Sequence, residues 1–516
     1  MNGPKPSTLF LDAGPLDVVG LEQVARQMRR VALAPAARDR LARSRSALEA
    51  AMNQGAAIYG VNTGFGSLSR VRIPDNELSD VQHNLLRSHA AGIGPPLPTD
   101  VVRGMMLLLA ASLARGHSGV RPEVAEAVVA LLNAQVTPLV PETGSVGASG
   151  DLAPLAHAAL LLIGEGYATI GADPTPVPGP QALQRAGLKP IALAAKEGLA
   201  LINGTHLMAA HAALLLADFD RLFDAALCAV AMSIDACRAT DAFLDDRVYH
   251  IRRHPGAARA ASRIRSMLEG SQVLTSHIEN DPRVQDPYSL RCAAYVMGSA
   301  LDAADFVRRA AERELGAVTD NPLVFPDEPA PGERSELIVS AGNFHGMPIA
   351  LPLDVLAIAL AHLAGISERR TFLMLAAAEP EARLRPHLSP RPGLHSGLMI
   401  VQYTAAACCN ELVQLAAPAS PINLPTCAGM EDYNSFGPRS AAKARRALDL
   451  CTSVIAIELL CAAQGLELHR PLRSGRGVER TFEKLRSVVP PLTADRPPAP
   501  DIAAITALIR AGALGD

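Results

Sequence analysis

The rhythm of apolar positions along this chain changes near residue 198. Before that point the apolar runs are short and often broken by Gly and Pro, which predicts short helices joined by loops at 59–67, 92–99 and 138–151. The Pro- and Gly-rich stretch 169–190 predicts an irregular or short-stranded excursion. After it, the segments 199–238, 290–314, 348–378, 396–417 and 438–464 are long, apolar and poor in Gly and Pro. Within them 353–365 is apolar on almost every face, Asp354 and His362 excepted, which predicts a helix buried all round. The expected fold is therefore mainly α, with long helices packed side by side in a central bundle. Polar loops at 277–287, 318–332 and 418–437 separate these helices and are the natural carriers of chemistry. The expected organisation is a loop-rich helical N-terminal domain at 1–198, a long-helix bundle at 199–473 and a C-terminal helical segment at 474–516.

Composition sharpens this picture. Of 516 residues 49% are hydrophobic, only 3% are aromatic and none is Trp, so the core is built from Ala, Leu, Val and Ile. That favours close-packed helices over an aromatic-rich sheet. A net charge of −3 without a basic run points away from nucleic acid and anionic membranes. The first dozen residues lack a basic region followed by an apolar stretch, so no secretory signal is expected. No run of about 18 uninterrupted apolar residues is present, so no membrane span is expected. The eight cysteines form no C-x-x-C pair and read as buried thiols in a reducing cytosol. The histidines form no H-E-x-x-H pattern, and His206 and His211 are five apart, so no metal is expected.

The most unusual segment is Gly144-Ser145-Val146-Gly147-Ala148-Ser149-Gly150-Asp151-Leu152-Ala153-Pro154-Leu155-Ala156-His157. It is not a phosphate loop, because no Lys follows the glycines. It is a poor nucleophile elbow, because Gly150 adjoins Ser149 and no strand is predicted before it. It also fits a plain glycine-rich turn in which Asp151 caps the following helix. A further chemical reading is cyclisation, with the Gly150 nitrogen attacking the Ala148 carbonyl carbon in a turn only small residues permit. Loss of water, including the Ser149 hydroxyl, leaves a methylidene-imidazolone, an electrophile that ordinary side chains cannot supply. The N-terminus of a helix starting near Asp151 adds positive potential beside it.

At these residues the chain resembles the aromatic amino acid ammonia-lyases. The resemblance runs from about Tyr59 to Asp501. It includes Tyr59-Gly60-Val61-Asn62-Thr63-Gly64-Phe65-Gly66, Asn84-Leu85-Leu86-Arg87-Ser88-His89, Ile202-Asn203-Gly204-Thr205, Gln285-Asp286-Pro287-Tyr288-Ser289-Leu290-Arg291-Cys292, Thr319-Asp320-Asn321-Pro322-Leu323, Gly342-Asn343-Phe344-His345-Gly346 and Glu431-Asp432. It implies a fumarase/aspartase-like bundle, with the prosthetic-group loop carried by the N-terminal domain. It implies a cytoplasmic homotetramer whose active sites draw on three chains. The implied prosthetic group is 4-methylidene-imidazol-5-one, made from Ala148, Ser149 and Gly150, with neither metal nor nucleotide. The implied reaction is non-oxidative loss of ammonia from an amino-acid substrate.

Roles follow residue by residue from the resemblance. Tyr59 is the expected base for the β-proton; an ordinary phenol near pKa 10 is too weak for this, so a nearby electron-poor ring and helix N-termini are expected to lower it. Arg291 is expected to pair with the substrate carboxylate through its planar fork. Tyr288, three residues earlier on the same helical face, is expected to assist proton handling. Asn203 and Gln285 resemble orienting amides, Phe344 is expected to pack beside the active-site ring, and Met399 matches a pocket-lining methionine. Ser88, His89 and Glu431 match members that act on histidine, since a buried imidazole nitrogen needs a partner. L-Histidine, converted to trans-urocanate, is thus the implied substrate. Several positions depart from that pattern: Met430 where Gln is usual, Tyr433-Asn434 for His-Val, Ala293-Ala294-Tyr295 for Gln-Pro-Gln, Met347 for Glu and His206 for Gln. They keep tyrosine, phenylalanine and a 2,3-aminomutase reaction open as alternatives. A serine hydrolase and a non-enzymatic scaffold are weaker alternatives, since no elbow is recognisable and Tyr59, Ser149, Tyr288 and Arg291 are all present.

Overall fold

The protein is described by a computed structural model covering residues 7–279, 281–326 and 337–515, so part of the expected loop 318–332 lies outside the described residues. The chain is mainly helical, as the apolar pattern predicts, and it divides into two compact units. Each unit is made of three separate stretches of sequence. The first is Met1–Leu214, Arg308–Leu353 and Ala419–Ala442; the second is Leu215–Val307, Asp354–Pro418 and Lys443–Asp516.

The first unit combines short helices with four small sheets. Leu9–Leu11 pairs in parallel with Val31–Leu33, and Ile93–Pro96 runs antiparallel to Pro141–Thr143. Val136–Pro138, Tyr167–Ile170 and Asp173–Pro178 form an antiparallel sheet, followed by a helix at Gly179–Arg185. The excursion predicted at 169–190 is thus a hairpin and a helix. Leu323–Val324 pairs with Ile338–Val339. Helix Thr99–Ala114 lies at the centre, with every residue from Val101 to Ala114 buried. Inside it Arg103 donates to the carbonyls of Val24 and Leu132, tying three helices together, while burial pushes its guanidinium down to about 10. Glu197 is also fully buried and is held by a two-pronged contact from Arg121 at 2.7 and 2.8 Å.

The long apolar segments form the expected helices with two breaks. Met347–Ala376, Met399–Leu415 and Gly437–Glu467 are continuous. The segment predicted at 199–238 is instead Glu197–Ile202 followed by His206–Ala236. Gly204 causes the break: its φ is +130°, and a Cβ there would lie 2.5 Å from Thr319 Oγ1. The segment 290–314 likewise divides into Tyr288–Arg291 and Ala293–Glu314. In 353–365 most side chains are buried and His362 is exposed.

The second unit holds a buried charge cluster. Glu458 accepts from Ser233 at 2.7 Å, from Ser367 at 2.6 Å and from two nitrogens of Arg370. Each of these four side chains is fully buried. The same unit exposes large apolar side chains: Phe372, Ile400, Tyr403 and Val413 are 50–70% accessible. Met347–Ala376 and Gly437–Glu467 are each long and apolar enough to cross a bilayer by length and composition. Their most apolar windows are 61% and 89% buried in protein, which is how core helices pass the same length test.

Candidate active site

Seven residues singled out in the sequence line one cavity of about 760 Å³, all from the first unit: Tyr59, Ser88, His89, Ser149, Asn203, Phe344 and Glu431. A volume in that range suits a small organic ligand.

Local backbone chemistry explains the bend at Ser149. Gly147 and Gly150 have φ of +68° and +75°. A Cβ on Gly150 would lie 2.0 Å from the Gly204 oxygen, and one on Gly147 would lie 2.1 Å from Ser435 Oγ. Gly204 N–H donates to the Ser149 carbonyl at 3.2 Å, and Asp151 N–H donates to the Gly204 carbonyl at 2.7 Å. Ser435 Oγ donates to the Gly147 carbonyl at 3.1 Å, and Phe436 N–H donates to the Val146 carbonyl at 2.9 Å. Ala148 and Gly150 are buried, while Ser149 is half-buried and its hydroxyl donates to Glu431 Oε1 at 3.3 Å. The tripeptide is therefore clamped on both sides in a bend that admits no larger side chain, and it fits a cyclised prosthetic group. A strand does precede it, at Pro141–Thr143, contrary to expectation. It is three residues long and ends before the glycines, so a nucleophile elbow is still not formed.

Asp151 differs from its expected role. It sits at the N-cap of Leu152–Leu160 but makes no side-chain bond to that helix. Its Oδ2 instead accepts from Leu207 and Met208 N–H at 2.8 and 3.2 Å, capping His206–Ala236. The break at Gly204 exposes those donors, and they attract the carboxyl across the bend. Burial pushes this carboxyl up to about 7 despite the two donors.

Tyr59 stands on the Gly-rich turn, and its hydroxyl accepts from Gly66 N–H at 3.0 Å. Within a single chain the phenol is shifted opposite to the expected lowering. Burial pushes the phenol up, Glu431 and Cys427 add to that, and the Gly66 N–H offsets only part. Ser88 and His89 end helix Leu78–His89. His89 Nδ1 lies 2.9 Å from the Leu85 carbonyl, which makes Nδ1 the protonated nitrogen and leaves Nε2 an acceptor. Burial lowers the His89 pKa, which keeps the ring neutral. Glu431 is steadied by Thr426 Oγ1, which donates to Oε2 at 2.8 Å.

Gln285, Tyr288, Arg291 and Met399 belong to the second unit and do not line this cavity. Gln285 and Tyr288 are exposed. Tyr288 and Arg291 do share a helical face, with the guanidinium carbon 4.6 Å from the ring centre. Arg291 Nε donates to the Asp286 carbonyl at 2.8 Å, and the Asp286 carboxylate accepts from Thr240 N–H at 3.0 Å. Just upstream Arg283 grips Asp281 at 2.7 Å and also donates to the Cys237 and Arg238 carbonyls. Met399 starts helix Met399–Leu415.

Lys196, Asp320 and Cys427 also belong to this region, although no motif in the sequence gives them a role. Lys196 was visible as a charge entering an apolar run, and Asp320 lay inside a quoted motif. Cys427 lines the cavity and its sulfur accepts from Ser67 N–H at 3.3 Å; nothing in the sequence marked it. Among the described residues no group of three or more metal-ligating side chains occurs.

The buried His206 gives a test of this region. Burial lowers its pKa from 6.5 to about 3, so the fold holds it neutral while the unfolded chain protonates it. Its contribution is complete above pH 6.5 and is lost as pH falls toward 3. His206→Gln should therefore gain stability relative to the parent as pH is lowered from 7 to 5, read as melting temperature. A pH-independent difference between the two would refute this.

Comparison with known proteins agrees with the geometry. The family model described as aromatic amino acid lyase matches residues 16–487. A histidine ammonia-lyase of Anaeromyxobacter dehalogenans is 47% identical, covering 98% of this chain and 99% of its own length. The crystal structure of histidine ammonia-lyase from Trypanosoma cruzi superposes with a TM-score of 0.90 at 37% identity, covering 98% of this chain and 94% of the other. A tyrosine aminomutase from Streptomyces globisporus superposes with a TM-score of 0.90 at 32% identity, covering 98% and 97%. A family model spanning nearly the whole chain, and motifs that meet in one cavity around a clamped Ala-Ser-Gly bend, place this protein in the aromatic amino acid lyase family.

Proposed function

We propose that this protein eliminates ammonia from L-histidine to give trans-urocanate. The observation that carries the reading is the meeting of Ser149, Tyr59, His89 and Glu431 on one cavity. Ala148, Ser149 and Gly150 would form the 4-methylidene-imidazol-5-one, which when present supplies an electrophile for the substrate amine. Glu431 and the acceptor nitrogen of His89 offer partners for an imidazole ring, whose N–H would otherwise be buried unpaired. Tyr59 and Tyr288 would handle the β-proton, and Arg291 would hold the carboxylate. Gln285 and Phe344 would orient the substrate, and Met399 would close the pocket.

Gln285, Tyr288, Arg291 and Met399 would enter each site from neighbouring copies in a homotetramer. The exposed apolar side chains Phe372, Ile400, Tyr403 and Val413 support this, because monomers rarely leave such surface uncovered. The eight free cysteines suit a reducing, cytoplasmic location.

Met430 supports a second reading, since it puts an apolar side chain on the cavity beside Glu431. That would favour the phenyl ring of tyrosine or phenylalanine, with lyase or 2,3-aminomutase outcome. The test is ultraviolet absorbance of the protein mixed separately with L-histidine, L-tyrosine and L-phenylalanine. An arylacrylate band with histidine alone is expected. Glu431→Gln should lower histidine turnover about 10- to 100-fold, as expected for losing a charge-assisted hydrogen bond. A band with tyrosine or phenylalanine instead would overturn the choice of substrate.

A further inference from the structure

Behind the cavity wall lies a buried ion pair. Lys196 is fully buried, and its ammonium donates to Asp320 Oδ2 at 2.7 Å and to the Asn321 carbonyl at 3.1 Å. Asp320, 2% exposed, uses Oδ1 to accept from Asn321 N–H at 2.6 Å and from Asn203 Nδ2 at 3.1 Å. Asn203 Nδ2 also donates to the Asn321 carbonyl at 3.2 Å. Both groups facing that nitrogen are therefore acceptors only. A carboxamide turned the other way would set its oxygen against a carboxylate and a carbonyl.

This arrangement decides where the Asn203 oxygen goes. Asn203 is 2% exposed and lines the cavity. Its Oδ1 is buried and has no protein partner. A buried acceptor left unsatisfied is costly, and a ligand bringing an N–H donor would satisfy it. An amino acid brings one in its amino group.

We propose that Lys196 and Asp320 are positioning residues that lock the Asn203 carboxamide with its oxygen toward the amine of the substrate. The proposal rests on the reading of this cavity as an amino acid lyase site. A carboxylate at position 320 can only accept, and the Lys196 ammonium 2.7 Å away is its counter-charge. An amide at position 320 could donate as well, which would let Asn203 turn over and present its nitrogen to the amine. The pair thereby selects amino acids over compounds of the same shape that lack the amino group.

The experiment compares KM for L-histidine with the inhibition constant of 3-(imidazol-4-yl)propanoate, which keeps ring and carboxylate but has no amine. It uses the full-length protein, Asp320→Asn and the neutral double variant Lys196→Met/Asp320→Asn. L-Tyrosine and 3-(4-hydroxyphenyl)propanoate form a second pair should tyrosine be the substrate. The expected result is a KM raised about tenfold, the size of one hydrogen bond to a charged group, with the inhibition constant within twofold. The double variant decides if the single one does not fold, because replacing both members of a buried pair by neutral groups is tolerated. KM and inhibition constant rising together, neither changing, or a double variant that cannot fold would each overturn the proposal. Absence of turnover by the unmutated protein with histidine, tyrosine and phenylalanine would instead overturn the lyase reading.

Discussion

Ser149→Ala is expected to reduce arylacrylate formation from the protein's preferred amino acid by at least about 1,000-fold, equivalent to ~4 kcal/mol of barrier. Alanine has no hydroxyl to lose, so the methylidene carbon of the prosthetic group cannot form. The fold should survive. Ser149 donates one hydrogen bond, at 3.3 Å to Glu431, and the backbone of the bend at 146–149 is clamped through Gly204, Ser435 and Phe436 instead. The melting temperature should therefore change little while the absorbance signal disappears. Retained activity in Ser149→Ala would exclude the self-made electrophile. Activity lost together with the fold would be uninformative about chemistry, which is why the two are measured on the same preparation.

The second large effect concerns stability. Arg370→Met is expected to destabilise the second unit by about 3–5 kcal/mol, because it strands a charged Glu458 where no water reaches it. Both side chains are fully buried, and after the substitution Glu458 would retain only the hydroxyls of Ser233 and Ser367. Adding Glu458→Gln to Arg370→Met should recover much of the loss, since a neutral amide can be satisfied by those hydroxyls and costs less to bury. Urea or thermal unfolding of the parent, single and double variants measures this directly. A loss below about 1 kcal/mol in the single variant would mean that water or a rearranged neighbour reaches Glu458.

Much of the fold was legible because it depends on local rules. Long apolar runs poor in Gly and Pro bury themselves most readily as helices in a bundle, so Met347–Ala376 and Gly437–Glu467 follow from composition and period. The bend at 147–150 was legible for a similar reason, since only glycine tolerates the positive φ and close backbone approach found there. The break at Gly204 was not. One glycine inside an apolar run is tolerated in many helices, and only the approach of Thr319 and the Ser149 backbone stops this one.

The division of the site follows the same line. The amino-acid sequence by itself determined the helical class, the cyclisable tripeptide and the identity of the polar groups around it, because these depend on residue type and short spacing. Tertiary structure decided which of them meet. Tyr59, Ser88, His89, Ser149, Asn203, Phe344 and Glu431 share a cavity although up to 372 positions separate them, whereas Gln285, Tyr288, Arg291 and Met399 lie outside it. It also decided that Asp151 caps a helix other than its own and that Tyr59 is pushed up in pKa. Spacing carries no record of burial or of a partner brought in from hundreds of residues away, and those two quantities set the cost of a charge and the direction of a hydrogen bond.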